Sequence, residues 1–198
     1  RSSTAEKFWQ NWRASNAVVL DEQYQPLVER IIGTEALREI LIMTEQMIGD
    51  HVNNGDDPES EYFIHNDMAP NNLFIVDPPD AGEGPIIFVD FEHAGATHNQ
   101  TLGLITDLGN FYGRSWPNPE MQRAYLTTYL QESPKENLEY NYALIRTAVV
   151  ASTIYLARYG MKEDHPEHEM SVRLLGNLRS HLEALDNMYQ EIKREDSI

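Results

Sequence analysis

Between two apolar runs the chain places His65, Asn66, Asp67, Met68, Ala69, Pro70, Asn71 and Asn72, and a third apolar run ends in Asp90-Phe91-Glu92. A hairpin needs a turn, but not one this long or this specific in its polar groups. A carboxylate at Asp67 is the residue type that accepts a hydroxyl proton and holds the oxygen in line for attack. An amide oxygen at Asn72 and a second carboxylate at Asp90 are hard oxygen donors, the kind that grip magnesium beside phosphate groups. Pro70 fixes one φ angle between them and stiffens the loop. These are the parts that phosphoryl transfer to an alcohol needs. His65 reads as an architectural hydrogen-bonding residue rather than a base, and Glu92 as a supporting or additional metal contact.

The loop has the spacing H-x-D-x-x-x-x-N of a kinase catalytic loop, and Asp90-Phe91 stands in the place of a kinase D-F-G, with Glu92 at the glycine position. Each piece alone is an ordinary capped turn or strand end. The order strand, H-x-D-x4-N, strand, turn, strand, D-F-E is far more specific. Two other readings stay open. One keeps the domain for binding or regulation without catalysis. The other takes His65, Asp67, Asp90 and His93 as ligands of a metal-dependent hydrolase, although their spacing forms no familiar zinc pattern and leaves Asn72 without a role.

YFIHNDMAPNNLFIV followed by IIFVDFEHAG resembles the catalytic core of the aminoglycoside phosphotransferase and choline/ethanolamine kinase superfamily, small-molecule kinases of protein-kinase-like fold. HND in place of HGD, and DFE in place of DWG or DWE, lean toward the choline kinase side. ITDLGNFYG, Ile105 to Gly113, is similar to the D-[IL]-G-N stretch that choline kinases carry on the helix after the metal-binding Asp. The resemblance implies ATP and Mg as cofactors, Asp67 as catalytic base, and Asn72 and Asp90 as cofactor and metal ligands. It further implies that Asp107 braces the loop from below and that Asn110 and Tyr112 lie near the acceptor.

It covers Glu61 to Arg114 by motif and the helical remainder only by general pattern. It also implies an N-terminal lobe with a five-stranded sheet, a phosphate-covering loop and a strand lysine. Nothing before Thr34 reads that way, and Lys7 falls in a helical pattern. The expectation is therefore a single C-terminal lobe over residues 1–198, accompanied by an upstream lobe of the same protein. The expected acceptor is a small, cationic alcohol of choline or aminoglycoside type. Tyr112, Trp116, Tyr125 and Tyr155 are aromatics able to box a quaternary ammonium, though each also reads as ordinary core.

The positioning elements follow from periodicity. Ala5, Phe8, Trp9 and Trp12 share one side of a short first helix, whose Trp9/Trp12 face reads as a docking surface. Leu37, Ile40, Leu41, Thr44, Met47 and Ile48 predict a helix from Thr34, its expected cap, to about Asn53. Short strands are expected over Tyr62–His65, Leu73–Val76 and Ile86–Asp90, the last two separated by turn-rich DPPDAGEGP. Helical signal returns after Thr101. Asn118-Pro119 starts one helix. Ser133-x-x-Glu136 has capping-box form ahead of a long helix with one apolar face ending at Gly160. A last helix runs from Pro166 to Ile192. The fold class is α+β, mainly α, with a β-hairpin island carrying the loops.

The 198 residues suit one domain or one large lobe. Thirty-two acidic residues against fifteen basic ones give a net charge of −17, which argues against nucleic acid and anionic membranes as partners. Cysteine is absent, so disulfides and thiolate metal sites are excluded and a cytoplasmic location is compatible. No apolar run approaches the length of a membrane span.

Overall fold

The structure, a computed structural model, describes residues 4–75 and 86–195. Helix α1 (Thr4–Val19) buries Trp9, Trp12, Ser15 and Val19 on one face. That face is covered, not bare: Trp9 and Trp12 are buried in the core, and Trp9 Nε1 donates to Asn53 Oδ1 at 2.7 Å. The expected docking surface there is filled by the chain itself. Short α2 (Gln25–Ile31), which the periodicity did not mark, has Pro26 in its first turn.

Helix α3 (Thr34–Asn53) follows Gly33, which takes φ +85°. Thr34 is not its cap. It is the first helical residue, and its N–H donates to the Glu29 carboxylate at 2.8 Å. That bond, accepted by the ionised form, holds the Glu29 pKa below its ordinary value.

Two antiparallel ribbons follow, one nested within the other. Strand β1 (Tyr62–Ile64) pairs with β4 (Gly95–Thr97), with Ile64 opposite Gly95. Inside that pair, β2 (Leu73–Ile75) pairs with β3 (Ile86–Phe88), with Leu73 opposite Phe88. The expected third strand stops at Phe88, because Asp90 turns into the left-handed region, and β4 was not expected at all. Val76 and the turn 77–85 lie outside the described residues. Nesting sets segment 65–72 and segment 89–94 side by side, each bridging the same two ribbons.

Helix α4 (Gln100–Arg114) is capped by Asn99, whose Oδ1 accepts from Leu102 N at 3.0 Å. Helix α5 (Pro119–Gln131) starts as its sequence predicts: Asn118 Oδ1 accepts from Met121 N at 3.0 Å, with proline in the first turn. Ser133 does not cap the next helix. Its Oγ donates to Tyr129 O at 2.7 Å, and a 3₁₀ turn over Lys135–Asn137 leads in.

Helix α6 (Leu138–Ala157) buries every residue from Ala143 to Val150, so it is central and covered all round rather than apolar on one face. The last helix, α7 (His168–Glu195), carries Leu174, Leu178, Leu182, Leu185 and Tyr189 into the core. Helix α4 crosses α6 closely at Gly109, where an added Cβ would stand 3.0 Å from the Ala148 carbonyl oxygen. The chain is mainly helical, with a small antiparallel β island resting on α4.

Candidate functional site

One stripe of α4 carries the loop. Gly103, Asp107, Asn110 and Arg114 recur at helical spacing on a single face. Gly103 lets the outer ribbon approach: a Cβ there would stand 2.8 Å from Ile64 Cγ2 and 3.0 Å from Thr97 Cγ2. One turn on, the Asp107 carboxylate accepts from both His65 N (2.9 Å) and Asn66 N (2.8 Å). Asn110 Nδ2 donates to Asn66 O at 2.9 Å. Arg114 Nη2 then lies 3.6 Å from Asp67 Oδ1. The helix and the loop advance together, residue against residue, and the stripe sets where Asp67 stands.

The other side of the loop is held from the neighbouring segment. His65 Nε2 bonds to Val89 O at 3.0 Å, and Val89 N donates to Asn72 O at 3.0 Å. His65 is buried and spends one ring nitrogen on a carbonyl, while its Nδ1 has no partner among the described residues, which is an architectural placement and not that of a base facing a substrate. Asn72 is buried too, and its Nδ2 donates both to Asp67 O (2.9 Å) and to Asp67 Oδ2 (3.2 Å). Among the described residues two sit in the left-handed region without being glycine, Asn66 and Asp90, both at φ 63°. Asn and Asp tolerate that conformation best, and such residues cluster where a loop must aim side chains.

Asp67, Asn72 and Asp90 are thus carried on adjacent segments. Asn72 is tied directly to Asp67, and Asp90 follows the residue bonded to both His65 and Asn72. Asp67 keeps 23% of its side chain exposed. Asp90 and Glu92 are exposed, the Asp90 side chain does not cap the turn Phe91–His93 that follows, and Glu92 Oε1 is 3.3 Å from His93 Nε2. Committing Nδ2 to Asp67 leaves the Asn72 amide oxygen for another partner. One amide oxygen and one carboxylate are hard donors, which fits magnesium completed by phosphate oxygens. His65 and His93 do not meet the two carboxylates: among the described residues no group of three or more His, Cys, Asp or Glu could hold a metal ion, so the hydrolase set is not assembled.

The other expected residues divide. Asn110 lines a cavity of about 490 Å³ that borders the loop through Asn66 and Arg114, and Tyr155 lines it as well. None of Asp67, Asn72 and Asp90 lines that cavity. Tyr112 does not line it. It points into the core, fully buried, with its hydroxyl 2.8 Å from His181 Nδ1, because it falls on the α4 face opposite the stripe. Burial pushes its hydroxyl pKa up. Trp116 lies beyond the end of α4 under Arg173, 5.6 Å from its ring centre, and Tyr125 packs on Phe111 with ring centres 4.5 Å apart. The four aromatics do not form one box.

Sequence reasoning missed Arg114 and Gly103. The signal was present in spacing alone, since Arg114 follows Asn110 by one helical turn and Asp107 by two. Comparison of the chain with protein-family models, with curated proteins and with solved structures finds no match.

Proposed function

We propose that the chain is the catalytic lobe of an ATP- and magnesium-dependent phosphotransferase acting on the hydroxyl of a small molecule. The reading is supported above all by the bond between Asn72 Nδ2 and the Asp67 backbone and carboxylate, which couples a candidate base to a candidate metal ligand five residues away. Asp67 accepts the acceptor's hydroxyl proton and points that oxygen at the phosphorus. Asn72 holds Asp67 in place through its amide nitrogen, and Asp107 fixes the preceding backbone. Magnesium, when bound, supplies charge neutralisation on the phosphates, and Asn72 and Asp90 are the residues that would hold it. The nucleotide's other wall belongs to an upstream lobe in this reading, and a cytoplasmic location supplies the ATP.

A second reading, a lobe that binds its small molecule without transferring phosphate, is favoured by Arg114. Its guanidinium 3.6 Å from Asp67 Oδ1 competes for the carboxylate that must accept the proton. ADP release by the gene product as encoded, with ATP, magnesium and a panel of alcohols, separates the two. The phosphotransferase releases ADP, and Asp67→Ala lowers the rate at least about a hundredfold, the low end for removing a general base. Turnover by Asp67→Ala at the unmodified rate would reject the role of Asp67. Binding of an alcohol without ADP release selects the second reading.

A further inference from the structure

The resemblance leads one to expect a cationic acceptor. The cavity beside the loop is built for something else. It is the right size for a small molecule, about 490 Å³, and it touches the reaction site at two points: Asn66 precedes Asp67, and Arg114 is paired with it. Among the described residues no carboxylate lines it. Its charged lining residue is Arg114, and its polar groups are neutral, among them Asn11, Thr106, Asn110 and Ser152.

One aromatic surface of the wall is already taken by a cation of the chain itself. Tyr155 is the tyrosine in the wall, and Arg158 already covers its ring, with the guanidinium carbon 4.2 Å from the ring centre. Arg158 Nη1 is held there by Ser15 Oγ, itself a lining residue, at 2.9 Å. Phe8 and Trp12 also line it, stacked on one another with ring centres 6.3 Å apart. Trp12 Nε1 is closed off from solvent and has no acceptor among the described residues. An anion fares no better than a cation, since it must approach a chain of net charge −17 and enter beside Asp67. What remains is a molecule with hydroxyls and an apolar face.

We propose that this cavity takes a neutral polyhydroxylated acceptor, sugar- or polyol-like, its hydroxyls on the amide and hydroxyl side chains and one of them turned toward Asp67. The proposal rests on the phosphotransferase reading for the role of Asp67, but the binding itself does not.

Ligand-observed NMR and calorimetry on the chain test it, with methyl β-D-ribofuranoside and ribitol as neutral probes and choline and 2-deoxystreptamine as cationic ones. At least one neutral probe binds, and each of Asn11→Ala and Thr106→Val weakens it on the order of tenfold, as loss of one hydrogen bond predicts. Arg114→Glu, which places a carboxylate in the wall, brings choline binding above that of the unmodified chain. Thermal unfolding of each variant checks that it is folded. Tighter binding of either cation than of both neutral probes overturns the proposal. So does failure of both neutral probes to bind, or binding that ignores Asn11→Ala and Thr106→Val. A neutral probe that binds in this way but yields no ADP with the gene product, ATP and magnesium leaves the cavity assignment standing and rejects the phosphotransferase reading instead.

Discussion

Asp107 accepts the N–H groups of two consecutive residues, His65 and Asn66, with both oxygens, at 2.9 and 2.8 Å. Consecutive N–H groups on one carboxylate force a local turn, and Asn66 meets that demand by taking φ 63°. The carboxylate therefore shapes the backbone that aims Asp67. Bonds of this kind, with an ionised acceptor, are worth more than neutral ones and are costly to leave unmade. Asp107→Ala is expected to lower unfolding free energy by about 2–4 kcal/mol, the range for two charge-assisted bonds, as read from urea denaturation. Activity should fall further than the folded fraction does, because the loop loses its aim in the molecules that remain folded. Loss of activity that merely tracks the folded fraction would reduce Asp107 to a stabilising contact.

At the level of elements, the β island is carried by a helix whose glycines decide what approaches it. Gly103→Val puts branched carbons against Ile64 and Thr97, whose methyls already lie within 2.8 and 3.0 Å of a Cβ position. Overpacking of this sort costs about 1–3 kcal/mol, and here the ribbon can relieve it only by lifting away from α4. The expected result is a matching loss in urea stability together with lowered kcat, since Asp67 sits on the segment that leaves the same ribbon.

The long helices and the mainly helical class were legible because apolar spacing reports burial directly, whereas short α2 was not. Caps were less so. Thr34 and Ser133 carry the right side chains, but Glu29 reaches the first helical N–H from another turn, and Ser133 bonds backward to Tyr129. Strand β4, Gly95-Ala96-Thr97, has too little apolar content to announce itself, and only its register opposite Tyr62–Ile64 makes it a strand. The loop motif was legible as residue types in order. Its support from Arg114 was written only as helical spacing from Asp107 and Asn110, and a lone arginine at a helix end reads as a solvated charge until the loop is seen beside it.

A second element-scale expectation concerns the joint between α4 and α7. His181 is buried on α7 against the Tyr112 hydroxyl. Burial first, and the charge of Arg123 second, hold its pKa below the ordinary value, against a smaller opposing bond that the ring donates to the Pro119 carbonyl. Below about pH 6.5 the unfolded chain takes up a proton at this ring that the folded chain resists, so the unfolded state gains as pH falls. Folded-state stability should therefore decline from pH 7 toward pH 5.5. His181→Gln should give a flatter profile over that window, measured as the urea midpoint at each pH. Parallel curves for the two proteins would show that His181 stays protonated, or stays neutral, equally in both states.

For the whole molecule the governing quantity is a net charge of −17 spread over 198 residues. Repulsion among like charges opposes the compact state, and added salt weakens it. Salt also weakens the attractive pairs, but those described are mostly exposed, as in Arg38–Glu35, Arg173–Glu169 and Arg179–Glu183. Exposed pairs contribute about 0–1 kcal/mol each, and there are few cations to form more. The pair Arg146–Asp186, at 2.7 Å, is partly shielded from salt, with 5% of the arginine side chain but 45% of the aspartate exposed. Repulsion should therefore dominate the balance. Raising sodium chloride from about 20 mM to about 500 mM, which shortens the screening length several-fold, is expected to raise the Tm by several degrees. A gain of about 1 kcal/mol corresponds to about 2–4 °C in a chain of this size. Magnesium at millimolar concentration should add a further increment at constant ionic strength if Asn72 and Asp90 grip it, and that increment should vanish in Asp90→Asn while the sodium effect persists. A Tm that falls with salt would mean that the attractive pairs outweigh the repulsion, and a magnesium increment unchanged in Asp90→Asn would place the cation somewhere other than beside Asp67.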